Sequence, residues 1–131
     1  MNFKTTHIAL KVSNFDKAVE FYQKVLFAKV TKQWGEGENR ICLATLCDGT
    51  SLEIFAGGKK SEINKDIAGG FFHFAVKTDD CQKAFDNAIL NGAREKISPQ
   101  KMDIPSDPVY PVKIAFVYGL DNEEIEFFEE L

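Results

Sequence analysis

Histidine is scarce in this chain, with two in 131 residues, and tryptophan occurs once. Cysteine occurs three times, as Cys42, Cys47 and Cys81, an odd number without CxxC spacing. That argues against a disulfide framework and a structural zinc knuckle, and leaves the thiols as small apolar residues of a reduced compartment. Basic charge is not in excess: 16 Lys and Arg face 20 Asp and Glu, for a net charge of −4. Nothing here draws the chain onto nucleic acid or an anionic membrane. No apolar run approaches the roughly 18 residues of a membrane span. The N-terminus enters a strand-like pattern too early for a secretory signal, so a cytoplasmic location is expected. What is plentiful is apolar material: 44% of residues, including 12 Phe. That suffices for the interior of one compact domain, or of two half-size modules sharing a core.

A short pattern occurs twice. His7, Ala9, Lys11, Lys17 and Ala18 fall at a constant offset on His73, Ala75, Lys77, Lys83 and Ala84, so the only two histidines coincide. Further on, the segment from Asp48 through Glu53 to Phe55 falls on the segment from Asp121 through Glu126 to Phe128, with room for one short insertion. Two echoes in the same order point to a duplication.

Each copy reads as β-α-β-β-β. Residues Thr6 to Val12 alternate, with Ile8, Leu10 and Val12 on one face and His7, Ala9 and Lys11 on the other. Ser13 with Asp16 resembles a capping box, and Phe15, Ala18, Val19, Tyr22 and Leu26 follow at helical spacing. Strands are expected over Ala28–Gln33, Ile41–Leu46 and Ser51–Phe55, with a hairpin signal at Asp48-Gly49. The second copy has a strand at Phe71–Lys77 and a helix capped by Thr78 or Asp79 with Gly92 just past its end. Its later strands are expected near Arg94–Ile97, Val112–Tyr118 and Glu124–Glu129. The expected organisation is a single domain over 1–131. Module one spans about 1–57, a connector about 58–70 and module two about 71–131. All four prolines fall within Ser98–Pro111, where a long irregular loop is expected, either covering a pocket or forming a surface insertion.

The face of each small sheet opposite its helix is left to line a hollow. Alternation puts His7 and Glu53 on that face in the first copy, and His73 and Glu126 in the second. Two neutral imidazoles and two carboxylates offset the charge of a divalent cation, suit Ni, Zn, Co, Mn or Fe, and leave coordination positions for water or a chelating substrate. Polarisation of a bound oxygen, with a carboxylate taking a proton from a neighbouring carbon, is the chemistry that donor set permits. Glu123, Glu124, Glu129 and Glu130 read as surface charge, because only Glu126 matches Glu53 in register and facing.

With its repeats and these four residues, the chain resembles the vicinal oxygen chelate superfamily, the group of glyoxalase I, bleomycin-resistance proteins and extradiol dioxygenases. The segments carrying the likeness are His7–Val12 with Ala18–Tyr22, Leu52–Phe55, Phe72–Asp79 and Gly119–Phe128. The resemblance implies an α+β fold of two tandem βαβββ modules forming a curved-sheet cleft, a divalent metal held by His7, Glu53, His73 and Glu126, and a homodimer. Within the group, the His, Glu, His, Glu order is similar to glyoxalase I, a lactoylglutathione lyase that isomerises a hemithioacetal through a metal-bound enediolate. It is also similar to methylmalonyl-CoA epimerase. Extradiol dioxygenases and fosfomycin-resistance thiol transferases resemble a two-His, one-Glu site, so Glu53 speaks against them. By this likeness Glu126 is the proton acceptor and Glu53 a second one, acting on a small α-oxygenated carbonyl substrate.

Three features depart from that pattern. Lys11 stands where glyoxalase I has an arginine, Gly57 stands where it has an asparagine, and the last turn reads Gly119-Leu-Asp-Asn-Glu123. The arginine and the asparagine help hold glutathione. Two alternatives accompany the enzyme reading. One is a metal-free binding protein of the bleomycin-sequestering kind, with Trp34, Phe55, Phe74 and Phe128 lining its cleft. The other is an epimerase whose acyl-CoA substrate is met by Lys59, Lys60, Lys101 and Lys113.

Overall fold

The computed structural model describes residues 1–63 and 68–131. The expected connector at 58–70 includes residues 64–67, which lie outside the described residues. The chain divides into two compact units, Met1–Lys60 and Ser61–Leu131.

The first unit contains β1 (His7–Lys11), α1 (Phe15–Val25), β2 (Lys29–Trp34), a 3-10 turn (Gly37–Asn39), β3 (Ile41–Thr45) and β4 (Ser51–Phe55). Its sheet runs β1-β4-β3-β2, with β1 parallel to β4 and the other pairs antiparallel. Helix α1 starts at Asn14, whose side chain accepts from the Lys17 amide at 3.1 Å, so the cap lies one residue beyond the expected Ser13. Ala18, Phe21, Tyr22 and Val25 form its buried stripe. Leu52, Ile54, Cys42 and Ala44 are buried in the sheet, so the alternate positions carrying Glu53 and Leu43 fall on the open face away from this core.

The second unit contains β5 (Phe74–Lys77), α2 (Cys81–Leu90), β6 (Arg94–Ile104), β7 (Tyr110–Tyr118) and β8 (Glu124–Glu130). Its sheet runs β5-β8-β7-β6, again with one parallel pair, β5 with β8, and antiparallel partners beyond it. Asp80, rather than Thr78 or Asp79, caps α2 by accepting from the Lys83 amide at 3.0 Å. The helix ends at Asn91, with Gly92 following at a φ of 104°, a backbone setting suited to glycine. Cys81, Phe85 and Ala88 face the core, where Ala115, Val117, Ile125 and Phe127 lie fully buried or nearly so.

The expected loop at Ser98–Pro111 is instead largely a hairpin. β6 extends through Pro99 to Ile104 and pairs back on β7 from Gln100↔Ile114 to Ile104↔Tyr110. Pro99 is accommodated because β6 is an edge strand and the register breaks between Ile97 and Gln100, so no ladder hydrogen bond is required of it. Only residues 105–109 remain as the connecting turn. The thiols divide as well: Cys42 and Cys81 are buried, whereas Cys47 is exposed, against the expectation that all three are apolar filling. Burial pushes the Cys81 thiol up to about 11, which keeps it protonated and unreactive at neutral pH.

The start of the second unit is fastened to the turn before β8. The Ser61 hydroxyl donates to the Asp121 carbonyl, and the Asn122 side-chain amide donates to the Ser61 carbonyl at 2.5 Å.

Replacing Asn14 by Ala removes one capped amide and is expected to lower stability by about 1 kcal/mol, measurable by urea unfolding. Asp80→Ala is expected to lower the melting temperature in a pH-dependent way. The Lys83 amide bonded to the Asp80 carboxylate holds it below the usual carboxylate range, so its contribution is present above that range. The gap between wild type and variant should therefore close as pH falls through the folded value, followed by thermal melts from neutral to acid.

Candidate metal centre

Both histidine-glutamate pairs form, each within its own unit. In the first, β1 lies parallel to β4 with His7 beside Ser51 and Ala9 beside Glu53. The His7 ring reaches diagonally to Glu53, with Nε2 at 3.8 Å from Oε1. The Thr6 hydroxyl lies 3.0 Å from His7 Nδ1, on the other side of the ring. In the second unit, Ala75 lies beside Glu126, and His73, just before β5, brings Nε2 to 3.1 Å from Glu126 Oε2. Each unit thus aims one ring nitrogen and one carboxylate oxygen at each other through the same parallel-strand geometry.

The two pairs differ in depth. The His7 and Glu53 side chains are 45% and 18% exposed, whereas those of His73 and Glu126 are 25% and 11% exposed. The more enclosed carboxylate, Glu126, is also the one more closely approached by an imidazole nitrogen. His73 is packed edge-on against Phe72, at 4.6 Å between ring centres, and Phe116, at 5.2 Å, and its Nδ1 is buried without a hydrogen-bond partner. With its ring held between aromatic neighbours, His73 presents Nε2 as its polar edge toward the carboxylate.

As donors, these groups fit a divalent cation: imidazole nitrogen and carboxylate oxygen are what such ions take, and in both units Nε2 faces the carboxylate. Among the described residues, no group of three or more His, Cys, Asp or Glu comes together as a cage. Each half-site on its own supplies two donors, so a four-donor centre needs two half-sites.

The remaining glutamates are not simple surface charge. Glu129 Oε2 accepts from the Cys81 amide at 2.8 Å, at the start of α2. Glu123 Oε2 accepts from the Asp121 amide at 2.9 Å within the last turn. Glu124 is 11% exposed and paired with Lys96 at 2.7 Å, and Lys96 also lies over the Phe116 and Tyr118 rings at 5.8 and 5.9 Å. The alternation that places Glu126 on the open face places Glu124 there too, whereas nothing in the sequence points to Lys96. At the far end of that face Tyr110 stacks on Phe128 at 5.7 Å, and Glu130 pairs with Lys77 at 3.3 Å. Hydrogen bonds from Tyr110 and Lys77 hold the Glu130 carboxyl below the usual range.

Gly57, which replaces the expected asparagine, has a φ of +80°, and a Cβ there would lie 2.9 Å from the Glu38 carbonyl oxygen. The backbone leaves no room for an amide side chain pointing from this position. Of the aromatic residues expected to line a cleft, Phe55 shares the face of Glu53, whereas Phe74 lies beside Ile125 and turns away from the face of His73 and Glu126. Lys113 lies beside Glu129, with its charge felt by Asp80 and Cys81 at the start of α2, and is therefore not on that face either.

Two four-stranded mixed sheets, each carrying one helix and one histidine-glutamate pair, define an α+β protein of the paired βαβββ type. The chain belongs to the Glyoxalase/Bleomycin resistance protein/Dioxygenase superfamily, whose model matches residues 4–106, a span that holds His7, Glu53 and His73 and stops before Glu126. It is 28% identical over 131 residues to a lactoylglutathione lyase of Neisseria meningitidis, covering 95% of this chain and 88% of that protein. A lactoylglutathione lyase of Arabidopsis thaliana is 26% identical, but the match spans only 44% of its length. Among solved structures, a glyoxalase family protein from Enterococcus faecalis superposes with a TM-score of 0.77 at 20% identity, covering 96% of this chain and 97% of that one. The fosfomycin resistance protein FosX of Listeria monocytogenes reaches a TM-score of 0.72 at 16% identity, covering 100% and 96%. No helix among the described residues is long and apolar enough to cross a membrane.

Gly57→Ala is expected to destabilise the protein by about 1–2 kcal/mol, from the left-handed backbone alone, with the Glu38 carbonyl contact adding to it. Thermal unfolding of the variant checks this.

Proposed function

We propose that this protein is a divalent-metal-dependent enzyme of the lactoylglutathione lyase type, isomerising a small α-oxygenated carbonyl compound or hemithioacetal. The observation that carries the reading is the repetition of one histidine-glutamate pair at equivalent positions of two units, at 3.8 and 3.1 Å. The relatives named lactoylglutathione lyase support the reaction class. His7, Glu53, His73 and Glu126 are the residues that would hold the metal. When bound, a divalent ion polarises a substrate oxygen and lowers the cost of negative charge on it.

The chain's own groups account for the proton movements. Glu126, screened from water by its neighbours, takes the proton from the carbon bearing the substrate hydroxyl and returns it to the adjacent carbonyl carbon, while the hydroxyl proton passes to the former carbonyl oxygen. Nothing is gained or lost overall, as an isomerisation requires. Glu53, more open, is the second acceptor when the proton lies on the opposite face of the substrate. Gly57 offers no side-chain amide to a glutathione peptide, so the thiol of the hemithioacetal need not be glutathione.

A second reading is a metal-free ligand-binding protein, favoured by the Tyr110–Phe128 stack on the open face and by Trp34, which is 47% exposed. Metal content after purification without a histidine tag separates the two. The enzyme reading expects about one divalent ion per chain. A folded protein that refuses Ni²⁺, Co²⁺, Mn²⁺, Fe²⁺ and Zn²⁺ sinks it. In Glu126→Gln, turnover should fall at least about a hundredfold, the usual cost of removing a proton acceptor.

We further propose a homodimer. Whether a centre joins half-sites of one chain or of two copies is decided by mixing His7→Ala with His73→Ala protein. Recovery of turnover in the mixture shows pairing across copies, and continued inactivity shows pairing within one.

A further inference from the structure

The two half-sites are flanked by equivalent side-chain relays that differ in charge. Each begins at a break in register on the edge strand: between Val30 and Lys32 on β2, and between Glu95 and Ile97 on β6. The extra residue is Thr31 in one unit and Lys96 in the other. A bulge of this kind turns a side chain it would otherwise pair. In the first unit the Thr31 hydroxyl meets that of Thr45 at 2.8 Å, Thr45 meets Ser51 at 2.8 Å, and Ser51 lies beside His7. In the second unit Lys96 crosses Tyr118 and meets Glu124 at 2.7 Å, and Tyr118 lies beside Glu124 as Thr45 does beside Ser51. Carrying the β5 to β8 register back two residues from Ala75 and Glu126 places His73 beside Glu124.

The second half-site therefore holds a carboxylate that the first lacks. Glu124 shares the face of Glu126, is equally enclosed at 11% side-chain exposure, and keeps one oxygen, Oε2, buried without a hydrogen-bond partner. Left free, such a group would compete with Glu126 for any cation at His73 and would fill a position meant for substrate. Resting on the metal-enzyme reading, we infer that Lys96 is a positioning residue which holds Glu124 away from the His73–Glu126 pair, reserving that pair as a two-donor unit. Phe116 strengthens the arrangement, because it packs against both Lys96 and the His73 ring.

The test is titration of Mn²⁺ into metal-stripped full-length protein, read by calorimetry alongside turnover. Lys96→Met frees Glu124 and is expected to bind Mn²⁺ about tenfold more tightly while turning over more slowly, the size usual for changes around a ligand shell. The double variant Lys96→Met with Glu124→Gln should return to within about twofold of wild type, since no rival carboxylate remains. Lys77→Met makes the same charge change on the same face and should leave affinity near wild type. General damage would weaken binding, so tightening is a result that a merely structural role does not produce.

Unchanged or weaker binding by Lys96→Met overturns the inference and leaves the metal reading standing. Equal tightening in Lys77→Met overturns it too, by showing a general effect of charge. If Lys96→Met does not fold, Glu124→Gln decides: affinity within about threefold of wild type supports the inference, and a loss beyond about tenfold makes Glu124 itself a ligand and overturns it. Wild-type protein that takes up no divalent ion at all sinks the functional reading, and this inference with it.

Discussion

The parallel pairing of the first strand of each unit with its last is the constraint on which the candidate site depends. It joins segments far apart in sequence, His7 with Ser51 and Ala9 with Glu53 in one unit, and Ala75, two residues after His73, with Glu126 in the other. Because side chains alternate, a slip of one residue in either ladder would send the glutamate into the core and Ile54 or Ile125 into the open. What prevents the slip is the buried set Leu52, Ile54, Ile125 and Phe127, each at most 1% exposed, against which the helices pack. Such side chains cost about 2–5 kcal/mol each when cut back to alanine. Core packing and site chemistry are thus two faces of the same strands.

Much of this was legible in the sequence, because the period of two is a strong signal where one face is buried and the other polar. The facing of His7, Glu53 and Glu126 follows from alternation alone, and the duplication identifies which of the C-terminal glutamates corresponds to Glu53. The helix starts were missed by one residue because Ser13, Asn14, Thr78, Asp79 and Asp80 are all competent caps, and only backbone geometry chooses among them. Proline misled over residues 98–111. Its exclusion from sheets does not apply on an edge strand at a break in register, and edge position is a property of sheet order rather than of local sequence. Lys96 was invisible for the same reason, since a bulge that swings one residue toward its neighbours leaves no periodic mark.

Duplication accounts for the symmetry of the two pairs, and the differences between the copies give each a separate character. One half-site is open and bordered by neutral hydroxyls, the other enclosed and bordered by an ion pair between aromatic rings. Under the proposed function, such inequality would suit the two carboxylates to distinct tasks, the enclosed one to moving protons away from water and the open one to admitting and releasing ligands.

The fastening of Ser61 to the turn at Asp121 and Asn122 bears on how the molecule can be divided. A fragment begun at Phe71, where the repeat first becomes recognisable, would strip that turn of its clasp, taking the Ser61 hydroxyl from the Asp121 carbonyl and the Ser61 carbonyl from the Asn122 side-chain amide. The residues that look like a tether between repeats are, at their far end, part of the second repeat's own architecture. Anyone wishing to cut, permute or graft this half must carry Ser61 along with it.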